Sequence, residues 1–287
     1  MGLFGPRTIG LALGGGSVRG LAHVGVLRVL EREGIRPAAI AGTSMGAIVG
    51  ATYAAGLTAD AIEQIALGLD VKGLLSLADW TRHSGALISG DRIEALLAEY
   101  LPATFEELQI PFACTSTDLA AGEGVRHTSG DLIKAVRASM SVPMAFLPVR
   151  DGKRVLVDGF LTEPVPVDLV RSLGVRVVVA VEVTGSGRIG TGDVEERDSH
   201  AFADLRASIK GERRRARGTS SMDIAAATIE MLERSLTAYQ VKRADVVISP
   251  DVHMYAGHEF AFAAPIIAAG ERATEQALLR IRSRARL

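Results

Sequence analysis

Twice within its first fifty residues the chain runs a short, uncharged apolar stretch into a glycine-rich turn and then into a helical pattern. The first case is LGGGSVRGLAHVGVL at 13–27, and the second is AIAGTSMGAIVGATYA beginning at Ala39. Apolar runs without polar alternation belong to strands buried on both faces. Such strands occur in parallel sheets whose crossover helices lie above and below. Similar runs recur at 110–116, 154–157, 175–183 and 245–249, besides those at 8–13 and 38–41. Helical patterns lie between several of them. Ile93, Leu96, Leu97 and Tyr100 share one helical face. Asp131 is placed to cap a helix carrying Ile133, Val136 and Met140, and Ala-rich helices are expected over 222–239 and 265–284. The expected fold is α/β, three-layered, with a mostly parallel central sheet and helices on both faces.

Composition removes several classes of function. The 287 residues are 48% hydrophobic and 23% charged with a net charge of −1, which describes a globular chain with no nucleic-acid signal. Cys114 is the only cysteine, so an intrachain disulfide and a Cys-rich zinc site are both excluded. A single cysteine fits a reducing compartment, and the first residues lack the apolar core of a signal peptide, so the cytoplasm is the expected location. The uncharged stretch 38–59 is long enough to mimic a membrane span, but its glycines and turn signals read as a buried strand and helix. Contact with lipid is therefore expected to be peripheral, at the inner face of the membrane. One polar, Gly-rich segment, 185–221, breaks the alternation and reads as an insertion. Its basic cluster of Arg206, Lys210, Arg213, Arg214, Arg215 and Arg217 suits either a solvated linker or weak contact with anionic headgroups.

The second turn contains Gly42-Thr43-Ser44-Met45-Gly46, the only G-x-S-x-G in the chain. This pattern sets a serine on a sharp strand-to-helix turn, where Gly42 and Gly46 remove side chains that would collide. Ser44 then lies at a helix N-terminus, whose positive end favours a developing alkoxide. The first turn is a poor nucleotide site. Its glycines break the G-x-G-x-x-G spacing at Arg19 or Ser17, and Leu21 stands where a P-loop needs lysine. An oxyanion loop fits better. Both turns end strands, and ligands of open α/β sheets bind beyond the carboxyl ends of strands. Backbone N–H groups of Gly15, Gly16, Ser17 and Arg19 are the candidate donors, with Gly20 closing the loop. For the base the residues leave two options: His253 or His258 near the C-terminus, as in a Ser-acid-His order, or Asp158, followed by Gly159 at the end of an apolar run. Asp-Gly is also an ordinary turn signal.

The Gly loop, the serine elbow and the later Asp-Gly, in this order and spacing, resemble a bacterial patatin-like phospholipase. TDLAAGE at 117–123, AVRASMSVPMAFLPV at 135–149, EPVPVDLV at 163–170 and the tail from ADVVISPDV onward resemble that family too. The resemblance covers nearly the whole chain and implies one patatin-like domain over 1–287. It implies that Ser44 is the nucleophile and Asp158 its direct partner in a Ser–Asp dyad without catalytic histidine. The Gly15–Gly20 turn becomes the oxyanion loop. Phospholipid or another acyl ester is the implied substrate, hydrolysed through an acyl-enzyme with neither metal nor other cofactor. Two positions depart from the family pattern: Ser17 replaces a frequent third loop glycine, and Phe160 follows Asp-Gly where Gly or Ala is usual. Phe160 either narrows the acyl site or marks a non-hydrolytic, lipid-binding or regulatory member. An esterase or acyltransferase with a His-containing triad is the other alternative. His23 is expected to pack near the Gly loop, His83, His127 and His200 to be polar loop residues, and Trp80 to belong to a flap or to the core.

Overall fold

The computed structural model describes residues 5–68, 90–185, 221–255 and 260–287. Its strands in chain order are β1 (Ile9–Leu13), β2 (Ala39–Gly42), β3 (Phe112–Asp118), β4 (Glu123–His127), β5 (Val149–Asp151), β6 (Arg154–Asp158), β7 (Val177–Val181) and β8 (Val246–Ile248). The helices are α1 (Ala22–Arg32), α2 (Met45–Ala54), α3 (Ala59–Gly68), α4 (Asp91–Tyr100), α5 (Leu132–Ser139), α6 (Val167–Ser172), α7 (Ser221–Gln240) and α8 (Ala263–Ala285). The sheet runs β5-β6-β3-β2-β1-β7-β8, with β4 paired to β3 outside that path. β1, β2, β3, β7 and β8 are mutually parallel, while β4, β5 and β6 are antiparallel to their neighbours. The fold is α/β, with a mostly parallel central sheet.

All six apolar runs are strands. β4 and β5 are absent from that reading, because they are short, charged and partly exposed, with nothing in their composition to mark them. Residue size alternates across the parallel strands. Ile9, Leu11, Leu13, Ile40, Phe112, Cys114, Val177, Val179 and Val181 pack on one face against α1, α2, α5 and α8. Ala12, Ala39, Ala41, Ala113, Val178 and Ala180 face the other way, against Val167, Leu169 and Val170 of α6. Small residues on the second face let a two-turn helix approach closely, and the bulky first face carries most of the apolar burial. The uncharged stretch 38–59 forms β2 and α2 in this core. Among the described residues no helix is long and apolar enough to cross a membrane.

Registers around β3 explain how distant segments meet. Cys114 pairs with Gly42 of β2 and with His127 of β4, so those two strands lie on opposite edges of β3. Thr117 pairs with Gly124 of β4 and Val157 of β6, so β6 also lies opposite β4. β2 and β6 therefore share one edge of β3. Pointing in opposite directions, they end facing each other, β2 at Gly42 and β6 at Asp158.

Candidate active site

Ser44 occupies the turn between β2 and α2 with φ 55° and ψ −123°, a conformation that L-residues avoid. Its N–H donates to Ser139 Oγ at 3.0 Å, and Ala47 and Ile48 N–H groups bond to its carbonyl. Its hydroxyl donates to Asp158 Oδ2 at 2.6 Å. The other carboxylate oxygen, Oδ1, accepts the Phe160 N–H at 3.0 Å, and Asp158 N–H donates to Ser141 O at 3.0 Å. Ser44 and Asp158 are both buried. Burial pushes the Asp158 carboxyl up to about 8. The bonds from Ser44 and Phe160 oppose that rise, and the field of Glu233 adds to it.

The gap between the two strand ends is closed by hydroxyls. Thr43 Oγ1 donates to Glu163 O at 2.8 Å, so its lone pair is left to accept from Thr115 Oγ1 at 2.9 Å. A Cβ on Gly159 would lie 2.2 Å from the same Thr115 oxygen and 2.5 Å from Thr115 O. Only glycine lets the Asp158 turn settle against β3.

The Gly loop continues from β1 into a 3-10 turn, Ser17–Leu21, that leads into α1. Its N–H groups are not equivalent. Gly15 N–H donates to Pro164 O at 2.9 Å and Arg19 N–H to Gly16 O at 3.1 Å, so neither is available to hold an anion. Gly16, Ser17 and Val18 N–H groups have no acceptor among the described residues. Ser17 adopts φ 51°, the left-handed region that favours glycine; serine occupies it at a cost of about 1 kcal/mol. Gly20 lies against Met45, one residue past the serine, and Gly42 and Gly46 pack backbone to backbone. His23 is buried, with Nε2 2.8 Å from Gly14 O. Desolvation lowers its pKa to about 4, so it is neutral, donates from Nε2 and props the start of the loop.

Residues 162–165 tie these parts together. Besides the bonds at Glu163 and Pro164, Val165 N–H donates to Gln240 Oε1 at 2.9 Å, and Gln240 Nε2 donates to Thr162 O at 3.2 Å. The end of α7 is thereby fastened beside the site. Glu163 is held in turn by two bonds from Arg126, at 2.8 and 3.0 Å.

The other expectations resolve unevenly. His127 is not in a loop: it ends β4 and bonds through Nε2 to Ser116 Oγ at 2.8 Å, because β4 itself went unread. His253 pairs with Asp251 through Nδ1 at 2.8 Å, and no described histidine hydrogen-bonds to Ser44. Trp80, His83, His200, His258 and the basic cluster at 206–217 lie outside the described residues. Sequence reading missed Ser139, Ser141, Thr115 and Glu233. The first two fall in the AVRASMSVPMAFLPV stretch, where a pair of serines behind a capped helix was the available signal; Thr115 and Glu233 carry none.

A family model described as "Patatin-like phospholipase" matches residues 11–171. An uncharacterised NTE family protein of Mycobacterium tuberculosis is 35% identical over 182 residues, covering 63% of this chain and 50% of its own. A patatin-like phospholipase domain-containing protein of Caenorhabditis elegans is 36% identical over 208 residues, 69% of this chain and 14% of that one. A lysophospholipase, NTE1, of Pyricularia oryzae is 33% identical over 183 residues, 62% and 12% respectively. The chain thus spans about half the length of this mycobacterial relative and much less of the two eukaryotic ones. Among solved structures, VipD from Legionella pneumophila aligns over 95% of this chain and 67% of its own, at TM-score 0.49 and 15% identity. With more than half of its residues matched by the family model, and with its strand-turn-helix units as described, the chain belongs to the patatin-like phospholipase family.

Proposed function

We propose that this chain is a serine lipid acyl hydrolase acting through a Ser44–Asp158 dyad. The observation that carries the reading is the 2.6 Å bond from Ser44 Oγ to a buried carboxylate, on a strained elbow beside three loop N–H groups that have no acceptor among the described residues. As Ser44 Oγ attacks an ester carbonyl, its proton passes to Asp158 Oδ2, and the carbonyl becomes an oxyanion facing Gly16, Ser17 and Val18 N–H. The ester bond breaks, the departing alcohol takes the proton from Asp158, and the acyl group stays on Ser44. Water then yields a proton to Asp158 and attacks the acyl carbonyl, and Ser44 recovers that proton as the fatty acid leaves. A carboxylate of ordinary pKa is a weak base for serine. Burial that raises Asp158 to about 8 strengthens the base while leaving a usable ionised fraction. Phospholipid and lysophospholipid are the substrates the family suggests. The reading includes one catalytic domain across 1–287, and peripheral contact with the lipid surface.

The test is labelling with a fluorophosphonate probe alongside turnover of a short-chain ester, for wild type, Ser44→Ala and Asp158→Asn. Wild type should label, and both substitutions should lower turnover by at least about a thousandfold. Wild-type kcat/KM should climb with pH as Asp158 ionises, levelling above about 8. A wild type that binds lipid vesicles but neither labels nor turns over ester would favour the non-hydrolytic alternative, for which Phe160, buried over the Gly loop, is the structural argument.

A further inference from the structure

Glu233 lies on α7, 9% exposed, with no hydrogen bond or ion pair to the described residues. Gln240 comes two helical turns later on the same face, and its bonds to Thr162 and Val165 fix how that face meets the site. Thr237, between them, is fully buried. A carboxyl group so placed is costly unless the site uses it.

Its position relative to the reacting atoms is set by Gly15. A Cβ on that residue would lie 3.4 Å from Glu233 Oε1, 3.5 Å from Ser44 Cβ and 3.6 Å from Phe160 Cβ. Glycine leaves this space open, and its walls are the serine, the residue closing the Asp158 turn and one carboxylate oxygen. Ser44, which carries the acyl group in the reading above, thus shares this space with Glu233.

We infer that Glu233 determines which acyl groups the site accepts, by rejecting those that carry negative charge. The inference rests on the acyl-hydrolase reading above. The charged groups facing Glu233 are Arg19 on the loop, Glu230 and Arg234 on α7, and Asp158 at the end of β6. Glu230 is shared by both arginines, at 3.4 Å from Arg19 and 3.0 Å from Arg234. With Glu233 ionised, the two arginines and two glutamates sum to zero. With Glu233 protonated or replaced by Gln they sum to +1; an ionised Asp158 lowers either sum by one, so losing the Glu233 charge makes the surroundings one unit less hostile to an anionic chain. Burial raises Glu233 to about 7, so its charge changes within the pH range of the experiment below. Asp158 also titrates there and its charge acts on an anionic chain too, so the part of the trend that belongs to Glu233 is the part lost in Glu233→Gln.

The experiment compares kcat/KM for 4-nitrophenyl hexanoate and mono-4-nitrophenyl adipate, chains of equal length differing in a terminal carboxylate, from about pH 6 to about pH 9. In wild type the preference for the neutral ester should grow as pH rises. In Glu233→Gln the trend should be shallower and the preference about tenfold smaller at the alkaline end, while Glu233→Asp keeps the wild-type trend. An unchanged trend in Glu233→Gln, with an unaltered thermal midpoint, overturns the inference. If that variant does not fold, a flat preference in wild type overturns it equally. Turnover of both esters without such a trend sinks this inference alone. Absence of both turnover and fluorophosphonate labelling sinks the hydrolase reading as well.

Discussion

Ser44 and Asp158 reach the same bond by different routes. The backbone that shapes the serine side is mostly local: β2, a turn and α2 follow one another within residues 39–54, β1 with the Gly loop is the adjacent parallel strand, and Ser139 adds one bond from a distance. Its constraints are backbone contacts and a forced φ, and both leave marks in the sequence as glycines. The aspartate side is assembled from a distance. β6 is antiparallel, lies on the β2 edge of β3, and is held by Thr115, Ser141 and Phe160. Strain is stored on one side and desolvation on the other, so substitutions on the two sides should fail in different ways.

The largest effect is expected on the local side. A Cβ at Gly46 would sit 2.2 Å from Leu13 O and 2.7 Å from Gly14 O, both backbone atoms of the neighbouring strand and loop. Gly46→Ala should cost more than about 3 kcal/mol, read as a collapse of the denaturation midpoint or loss of soluble protein. A folded, active Gly46→Ala would show that the two turns are not packed as described.

On the distant side the expected change has the opposite sign. In the folded chain Asp158 stays protonated up to about 8, whereas in the unfolded chain it ionises near its ordinary value of 3.8. The folded state thus binds more protons across that window, and this group's contribution to stability falls as pH rises from 3.8 toward 8. Asp158→Asn removes the penalty. It should abolish turnover and yet stabilise the protein by about 2 kcal/mol near pH 8, with the gain vanishing near pH 4. Thermal midpoints of both proteins across that range decide it. A gain independent of pH would mean that packing, not ionisation, is responsible.

The smallest effect sharpens the contrast. Ser44→Gly and Ser44→Ala both remove the hydroxyl, but only glycine relieves a φ of 55°. The glycine variant should be about 1 kcal/mol more stable than the alanine variant at every pH. Equal midpoints would remove strain from the account of the elbow.

The elements that the sequence shows clearly are those with continuous apolar runs. β1, β2, β3, β6, β7 and β8 are legible because they lie in or beside the buried parallel sheet, and burial demands such runs. β4 and β5 are charged and partly exposed, which left them indistinguishable from loop and misplaced His127. The asymmetry extends to the site. Ser44 is readable because an elbow needs glycines at fixed offsets. Asp158 is equally consistent with a plain Asp-Gly turn, and only the family resemblance raised it above His253. The loop donors show the limit most clearly. Sequence offers four N–H groups, but Pro164 takes the one from Gly15 and the 3-10 turn takes the one from Arg19, and it leaves Val18 N–H without an acceptor among the described residues.

By itself, then, the sequence determined the layered α/β class, the serine on its strained turn and the glycine loop beside it, because each depends on residues within a few positions of one another. Tertiary structure alone decided that β6 would end opposite β2, that Ser139 and Ser141 would hold both partners, and that Glu233 would close the wall. Those placements follow from strand register and helix docking. Both are set by the packing of segments far apart in the chain, 95 residues for Ser44 and Ser139 and 75 for Val165 and Gln240, and no local pattern encodes them.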